Sequence, residues 1–238
     1  MNLKSKIAIV TGASSGIGAE FSKDLVEKGA TVYGLARSID KLNNIQKQLG
    51  DRFIPVQQDI TKSTDLENWV DKTFSTDHTP DILINNAGLG YFANVDELKI
   101  EEWNNMLNVN LSGIFYITRL IVPMMKQNEN ICHIVNISSI AGLMGNPQLT
   151  AYNATKYGLR GFSDALFKEL RYDGIKVSCF FPGSIATNFF DAIDEVDQHP
   201  NMMNASDVSD TLIHVLETPD NFLINEIIMR PLNPKTPG

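Results

Sequence analysis

The chain is poor in the residues that build disulfide frameworks and metal sites. Only two of its 238 residues are cysteines, Cys132 and Cys179, and each lies in an apolar run typical of a buried strand. The four histidines are scattered, so no Cys/His cluster has the spacing of metal ligands. We therefore expect reduced, buried thiols and no metal site.

Positive charge and long hydrophobic runs are also scarce. The formal net charge is −8, and nucleic acids and anionic membranes are bound by basic surfaces, so neither is expected as the main partner. No apolar run approaches the length of a membrane span. The N-terminus leads directly into an apolar run at residues 7–10, which leaves no room for a signal peptide, and we expect a cytoplasmic location.

Short apolar runs rich in β-branched residues alternate with longer periodic segments. Strands are predicted at residues 6–11, 31–36, 53–57, 81–85, 131–138, 175–181 and 223–229. Helices are predicted at residues 16–28, 38–49, 63–76, 101–127, 151–173 and 206–217. Nearly continuous apolar strands separated by helices indicate an α/β protein. We predict a single-domain Rossmann fold over residues 1–238, a doubly wound seven-stranded parallel sheet with helices on both faces.

Two segments resist regular assignment, residues 86–100 and 184–205. Long irregular segments in a compact domain are usually functional. We expect residues 184–205 to form a lid over the site, the alternative being a plain surface excursion.

A glycine-rich turn joins the first strand to the first helix with the spacing G-x-x-x-G-x-G. Gly12 permits a tight turn, Gly16 lets the backbone approach a pyrophosphate, and Gly18 lets the helix pack closely on the strand. The free N–H groups at the helix N-terminus favour an anion. The predicted phosphate cradle consists of Gly12, Ser14, Ser15, Gly16, Ile17 and Gly18.

The end of the second strand indicates which dinucleotide is bound. An NAD-dependent enzyme places an acidic residue there for the ribose 2′-hydroxyl, whereas this chain has Ala36 followed by Arg37 and Ser38. A guanidinium suits a 2′-phosphate, and Ser38 adds a hydroxyl. We therefore expect NADP (NADPH) as the cofactor, with Arg37 as a solvated turn residue as the alternative.

Tyr152 and Lys156 are four residues apart in a predicted helix, which places both on one face. A free phenol has a pKa of about 10, and a nearby ammonium favours its ionised form. Two hydroxyls, Ser138 and Ser139, end the preceding strand, and either could hold a substrate oxygen or be a loop residue. The Tyr-x-x-x-Lys spacing alone is common, so its meaning depends on the other motifs.

These motifs occur in the order found in short-chain dehydrogenases/reductases, which the chain resembles over essentially its whole length. The matching elements are Thr11 to Gly18, Asn85 to Gly88, Ser139, Tyr152 with Lys156, and Pro182 with Gly183. The C-terminal part is similar to the NADP-dependent 3-hydroxy acid and serine dehydrogenases. That finer match involves Asp207, Val208, Ile224, Asn225, Glu226, Met229, Arg230 and Pro231.

The resemblance implies roles for individual residues. It makes Tyr152 the proton donor and acceptor, selects Ser139 rather than Ser138, and gives Lys156 the ribose and the tuning of Tyr152. Asn110 would kink its helix and hold a water linked to Lys156. Asp59 and Ile60 would lie beside the adenine, Ala87 and Gly88 beside its ribose, and Asn86 would brace the sheet. The nicotinamide end would be bound by Pro182, Gly183, Ile185 and Thr187.

The substrate walls should come from residues 89–96, 140–149 and the lid. Their apolar members are Leu89, Tyr91, Phe92, Leu143, Met144, Leu149, Phe189, Phe190, Met202 and Met203. Neither 140–149 nor 184–205 contains lysine or arginine, the usual partners of a carboxylate. We expect a small-molecule ketone or aldehyde, reduced reversibly to an alcohol. The alternatives are a 3-hydroxy acid or serine dehydrogenase, a 3-oxoacyl-carrier-protein reductase, and an NADP-binding sensor without turnover.

The two longest predicted helices, 101–127 and 151–173, form a four-helix interface between subunits in similar proteins. The resemblance therefore implies a homo-oligomer, either a dimer or a homotetramer. The large apolar residues on these helices could equally belong to the intramolecular core, namely Met124, Met125, Phe162 and Phe167.

Overall fold

Seven parallel strands form one sheet in the order β3-β2-β1-β4-β5-β6-β7 in a computed structural model that describes residues 1–187 and 201–233. The strands are β1 Ile7–Thr11, β2 Thr31–Ala36, β3 Phe53–Gln57, β4 Ile82–Asn85, β5 Cys132–Ile137, β6 Ile175–Pro182 and β7 Glu226–Met229. The strand order reverses between β1 and β4, and ligands bind beyond the carboxyl ends of the strands at such a switch point. The predicted fold class is confirmed.

The helices cover both faces of this sheet. They are α1 Gly16–Glu27, α2 Ile39–Leu49, α3 Ser63–Thr73, α4 Ile100–Leu107, α5 Ile114–Met125, α6 Thr150–Leu170 and α7 Ala205–Leu216. The single helix predicted at 101–127 is instead α4 and α5 joined by a π-helical turn, Asn108–Gly113. Hydrophobic periodicity does not distinguish the two, because a π turn inserts locally without ending the helix.

The packing explains why the strands are apolar on both sides. Val10 lies in a cluster with residues of α1 and α7, whereas its neighbour Ile9 lies in a second cluster with residues of α3, α5 and α6. Successive side chains of a strand point to opposite faces, so a doubly covered strand needs apolar residues at every position. These two cores fix the carboxyl ends of the strands, where the candidate site lies.

The segment Ile100–Met125 corrects the expectation about apolar runs. Among the described residues it is long and apolar enough to cross a membrane by length and composition, with a mean hydropathy of 1.2. Its side chains Ile117, Ile121 and Met125 are buried against the sheet, whereas Ile100 at its start is exposed. A core helix passes such a test for the same reason that it packs well, so the segment is weak evidence for a membrane.

Other predicted boundaries shift by a few residues. The helix α3 ends at Thr73 because the chain turns immediately afterwards, where Ser75 and His78 form an isolated antiparallel bridge. Strand β7 is shorter than the predicted 223–229 and begins at Glu226. Both cysteines are buried free thiols, as expected.

Only the ends of the expected lid are described. Ile185 and Met203 form an isolated parallel bridge, with Ala186 N donating to Met203 O at 2.9 Å and Met203 N donating to Ser184 O at 3.1 Å. The ends of the segment are therefore tied together beside the site. Residues 188–200, including Phe189 and Phe190, lie outside the described residues, and the lid stays a prediction.

Candidate active site

A cavity of about 1150 Å³ opens along the carboxyl ends of the strands. It extends from the loop after β1 and the end of β2 to Tyr152 and Lys156 on α6. Every predicted site residue lines it except Gly18 and Asn110. Within residues 1–187 and 201–233, no group of three or more His, Cys, Asp or Glu residues is placed to hold a metal ion.

The glycine turn forms one wall of the cavity. Gly12 and Gly16 have φ angles of +68° and +56°, a backbone conformation that residues with a side chain rarely adopt. Gly18 is needed for packing instead, because a Cβ there would lie 2.4 Å from the carbonyl oxygen of Gly12. Ser15 precedes α1 and makes no side-chain capping bond, so the N–H groups of the first turn remain available to an anion.

Thr11 and Asn86 join the ends of β1 and β4 beneath this turn. The Thr11 hydroxyl accepts hydrogen bonds from the backbone N–H groups of Asn86 and Ala87, each at 3.0 Å. Asn86 Nδ2 donates to Thr11 O at 3.0 Å. Thr11 is not among the predicted site residues, although a threonine at the end of a buried strand is a signal for such a link.

The end of the cavity beside β2 is cationic. Arg37, Lys41 and Lys62 all line it, and the sequence reasoning identified only Arg37. None of the ion pairs between described residues involves Arg37, and its side chain is exposed. Asp59 also lines this end. Thr61 N and Thr61 Oγ1 donate to its carboxylate at 2.9 and 2.8 Å, so the carboxylate stabilises the local turn.

Tyr152 lies at the opposite end in apolar surroundings. It packs in a small cluster with Met106, Ala141 and Ala151, and its ring centroid is 6.3 Å from that of Phe92. Burial raises the pKa of Tyr152 to about 12, and a side-chain hydrogen bond with Ser139 acts in the opposite direction. The phenol therefore keeps its proton at neutral pH.

Lys156 lies beside Tyr152 and is hydrogen-bonded to the end of β5. Lys156 Nζ is buried, donates to Ile137 O at 3.0 Å and lies 5.6 Å from the Tyr152 ring centroid. Burial lowers the pKa of Lys156 to about 8. The ammonium of Lys156 is therefore close to the Tyr152 ring, and its tuning of the phenol stays a prediction.

Asn110 is fully buried in the π-helical turn. Its Nδ2 donates to Leu89 O at 2.8 Å and to Thr155 Oγ1 at 3.1 Å, and its Oδ1 accepts from Leu89 N at 2.9 Å. Thr155 in turn donates to Tyr152 O at 2.8 Å. Asn110 therefore reaches α6 through Thr155, a residue that the sequence reasoning did not single out.

The ends of β6 and β7 build the side of the cavity between the glycine turn and Tyr152. Gly183 N donates to Met229 O at 2.8 Å, which aligns the turn after β6 with the end of β7. Thr187 faces the glycine turn, because a Cβ on Gly16 would lie 3.5 Å from its Cβ and Cγ2 atoms. Pro182, Gly183, Ile185 and Thr187 thus line the side of the cavity between the glycine turn and Tyr152.

The substrate half differs in part from its prediction. Leu89, Tyr91, Phe92 and Leu149 line it as expected, together with Ile140, Ala141 and Asn146. Four of the expected residues do not line it: Leu143, Met144, Met202 and Met203. Met144 is 41% exposed, Met202 is buried, and Met203 packs against the core beside α7. These three methionines therefore do not contribute to the walls of the substrate half.

An arginine from outside the considered segments also reaches this region. Arg230 directly follows β7, and its Nη2 lies 3.8 Å from Met144 Sδ. A Cβ on Gly183 would lie 3.7 Å from Arg230 Cα, which places this residue beside the cavity wall. Arg230 does not itself line the cavity, so the expectation that the substrate walls lack a cation for a carboxylate stays a prediction. The position of Arg230 directly after a predicted strand indicates from the sequence alone that it lies near the site, because ligands bind at the carboxyl ends of parallel strands.

Comparisons with known proteins agree with this geometry. The family described as short chain dehydrogenase matches residues 6–198. An uncharacterised oxidoreductase of Staphylococcus aureus strain MRSA252 is 32% identical over 231 residues, which span 97% of this chain and 99% of that protein.

Two solved structures are similar over nearly their whole length. The 3-ketoacyl-(acyl-carrier-protein) reductase from Brucella melitensis complexed with NADH has a TM-score of 0.85 and 27% identity, covering 98% of this chain and 100% of that one. The closed form of a serine dehydrogenase complexed with NADP+ has a TM-score of 0.85 and 27% identity, covering 94% of each chain. Together with the family match, these similarities make the chain an oxidoreductase that belongs to the short-chain dehydrogenase/reductase family.

Proposed function

We propose that this protein reduces a ketone or aldehyde to an alcohol with NADPH, reversibly, with Tyr152 as the acid and base. The observation that carries the proposal is the convergence of Ser139, Tyr152 and Lys156 at one end of a cavity whose other wall is the glycine turn. A dinucleotide placed along this cavity has its phosphates at Gly12 and Gly16 and its reactive ring near Tyr152.

The cavity suits a nicotinamide dinucleotide in shape and in charge. The positive φ angles of Gly12 and Gly16 open the turn, and the N-terminus of α1 offers N–H groups to the pyrophosphate. Residues from Pro182 to Thr187 would bind the nicotinamide end, and Asp59 to Ile60 with Asn86 to Gly88 the adenosine. When bound, the reduced dinucleotide supplies the hydride that adds to the carbonyl carbon.

The preference for NADPH rests on the ribose end. Ala36 leaves this end without the acidic residue that a 2′-hydroxyl requires, and Arg37, Lys41 and Lys62 bring three cations to it. The similar solved structures hold NADH in one case and NADP+ in the other, so the preference has to come from this chain's own residues.

In reduction, Tyr152 would donate its phenolic proton to the substrate oxygen while Ser139 donates a hydrogen bond to the same oxygen. The raised pKa of Tyr152 keeps this proton in place at neutral pH until negative charge develops on the substrate. Lys156 and Asn110 would support Tyr152 without contacting the substrate oxygen. Lys156 is held by its hydrogen bond to Ile137 O, and Asn110 by its hydrogen bonds to Leu89 and Thr155. In the reverse direction Tyr152 would accept the alcohol proton.

The walls favour an apolar carbonyl compound. Leu89, Tyr91, Phe92 and Leu149 offer aliphatic and aromatic surface, and Asn146 is a polar group beside them. Such a pocket rewards burial of an alkyl or aryl group, because each buried CH₂ contributes about 0.8 kcal/mol.

A second candidate is oxidation or reduction of a 3-hydroxy acid, and Arg230 is the observation that favours it. Its guanidinium is exposed beside Met144, and no ion pair between described residues includes it. A carboxylate would be a suitable partner for that group. The similarity to a serine dehydrogenase points in the same direction.

Two further candidate functions remain, a carrier-protein reductase and a sensor. The similarity to a 3-ketoacyl-(acyl-carrier-protein) reductase supports carrier-protein substrates, although the net charge of −8 disfavours an acidic partner. A sensor that binds NADP without turnover is opposed by the presence of the full set of Ser139, Tyr152 and Lys156.

We also propose a cytoplasmic homo-oligomer, a dimer or a tetramer. Phe115 and Tyr157 are 47% and 44% exposed, and Ile100 and Trp103 add apolar surface on α4. By contrast, Met125 is buried and Met124, Phe162 and Phe167 pack against the core, so these four do not form the interface by themselves. Light scattering after size-exclusion chromatography tests the assembly.

One kinetic experiment separates the functional candidates. NADPH oxidation is followed at 340 nm with alkyl and aryl ketones, aldehydes, 3-oxo acids and 3-oxoacyl thioesters, each also with NADH. The proposal expects the highest kcat/KM with an uncharged carbonyl compound and NADPH. Preference for 3-oxo acids, lost in Arg230→Met, supports the second candidate. Tight NADPH binding without oxidation by any compound contradicts both and leaves the sensor.

A further inference from the structure

Asn153, the residue after Tyr152, holds the substrate loop 140–149 by three hydrogen bonds. Its Nδ2 donates to Ala141 O at 2.6 Å and to Met144 O at 2.7 Å. Its Oδ1 accepts from Asn146 N at 3.2 Å. The Asn153 side chain is buried, and so is its hydrogen bond to Ala141 O.

The same loop is attached on its other side. Gln148 adopts a φ of +63°, and its carbonyl accepts from Ala93 N at 3.0 Å. The two substrate walls, 89–96 and 140–149, are thereby joined to each other. Movement of one loop changes the position of both walls relative to Tyr152.

Only an amide can make this set of bonds. Asparagine presents two donor hydrogens and an acceptor oxygen at once, whereas aspartate offers acceptors only and alanine offers neither. Asn153 and Tyr152 are consecutive on α6, so the group that positions the wall and the group that donates the proton share one rigid element. This arrangement fixes the distance between the wall and the reacting oxygen.

We propose that Asn153 is a positioning residue that sets substrate selectivity through the loop 140–149. The inference rests on the proposed carbonyl reduction and assigns part of its specificity to a residue that does not line the cavity. Asn153 supports Ala141 and Asn146, which do line it. Loss of the amide leaves two carbonyls and one N–H unpaired and lets the loop relax away from Tyr152.

The first measurement requires no turnover. Amide hydrogen exchange by NMR reports on Asn146 N–H in the wild type, in Asn153→Ala and in Ala154→Ser, the last being a control at the next, exposed position. We expect exchange at Asn146 to become about tenfold faster or more in Asn153→Ala only, equal to about 1.4 kcal/mol. Thr61 N–H, which donates to Asp59 Oδ1 at 2.9 Å at the opposite end of the cavity, is the internal control and should not change.

The second measurement is the selectivity between small alkyl and bulky aryl ketones. The ratio of their kcat/KM values should change about tenfold or more in Asn153→Ala and Asn153→Asp, mainly through KM. The Kd for NADPH and the kcat with the best substrate should stay within about threefold. A purely structural role would lower the kcat/KM values for both ketones together with the thermal stability. It would leave the ratio of the two kcat/KM values unchanged.

The outcomes distinguish the two proposals. Unchanged exchange at Asn146 in Asn153→Ala shows that the clamp does not hold the loop and overturns the inference. Faster exchange with an unchanged selectivity ratio overturns the selectivity role alone and leaves carbonyl reduction intact. A wild type that reduces no carbonyl compound overturns the proposed function and the selectivity role with it, whatever the exchange shows.

Discussion

Ser138 donates a hydrogen bond from its hydroxyl to the backbone carbonyl of Lys156 at 3.0 Å, which ties the end of β5 to the middle of α6. Its neighbour Ser139 instead contacts the phenol of Tyr152 and accepts from Ala141 N at 3.1 Å. Adjacent serines therefore make different contacts, one that fastens β5 to α6 and one that meets the phenol of Tyr152.

Replacing these two serines separately gives a matched pair of variants. Ser139→Ala removes a hydrogen-bond donor to the developing negative charge, and we expect kcat to fall about 10²–10³-fold. Ser138→Ala should lower the free energy of unfolding by about 1 kcal/mol while kcat changes less than about tenfold. Steady-state kinetics and urea unfolding of both variants provide the test. A larger loss of kcat in Ser138→Ala than in Ser139→Ala would reverse the assignment.

Arg37 should determine the preference for NADPH. Arg37→Asp places a negative charge where the 2′-phosphate is expected, so the ratio of kcat/KM for NADPH to that for NADH should fall by about tenfold or more. Lys47→Asp makes the same charge change at an exposed position that does not line the cavity and should leave the ratio unaltered. Equal ratios in the wild type and in Arg37→Asp would refute the assignment.

Gly18 and Gly161 are predicted to respond to alanine in opposite directions. The added Cβ at Gly18 would lie 2.4 Å from Gly12 O, so Gly18→Ala should destabilise the protein by about 1–3 kcal/mol and weaken NADPH binding. At Gly161, in α6, nothing lies within 4 Å of the added Cβ, and Gly161→Ala should stabilise by up to about 1 kcal/mol. Thermal unfolding and fluorescence titration measure both effects, and a stable Gly18→Ala with normal NADPH affinity would contradict the packing argument.

His133 should make the fold sensitive to acid. It is buried with Nε2 at 2.8 Å from Ser178 Oγ, and burial, with smaller contributions from Lys176 and the N-terminal ammonium, lowers its pKa to about 3. The unfolded chain binds this proton near pH 6.5, so stability is complete above that pH and falls as pH decreases towards 3. The slope contributed is at most about 1.4 kcal/mol per pH unit.

Urea unfolding of the wild type and of His133→Gln between pH 7 and pH 5 isolates this contribution, because glutamine retains an N–H donor for Ser178 but does not titrate. The variant should lose less stability with acid than the wild type. Parallel pH dependences would show that His133 is not the group responsible.

The elements that a local pattern specifies were predictable from sequence. The strand positions, the glycine turn and the i, i+4 pair of Tyr152 and Lys156 depend on short-range periodicity and on conformations that only glycine tolerates. The sheet order then brings the turn after β1 and the middle of α6 to the same edge, and this followed from strand and helix alternation.

What depends on side chains meeting across the fold was not predictable. The resemblance implies a kink at Asn110, but the hydrogen bonds that hold it join Leu89 and Thr155, which are distant in sequence. Arg230 approaches Met144 only because β7 lies beside β6, and Asn153 holds a loop whose path no periodicity describes. The pKa of Tyr152 depends on its burial and on its hydrogen bond with Ser139, and no local pattern in the sequence indicates either.

The most direct test of the central claim is the effect of Tyr152→Phe, which removes only the phenolic hydroxyl. NADPH binding, followed by fluorescence, should stay within about threefold of the wild type, because the ring and its packing remain. Reduction of the best carbonyl substrate should fall about 10²–10⁴-fold, the range for loss of a positioned acid. Turnover above about one percent of the wild-type value, with NADPH bound normally, would show that another group supplies the proton.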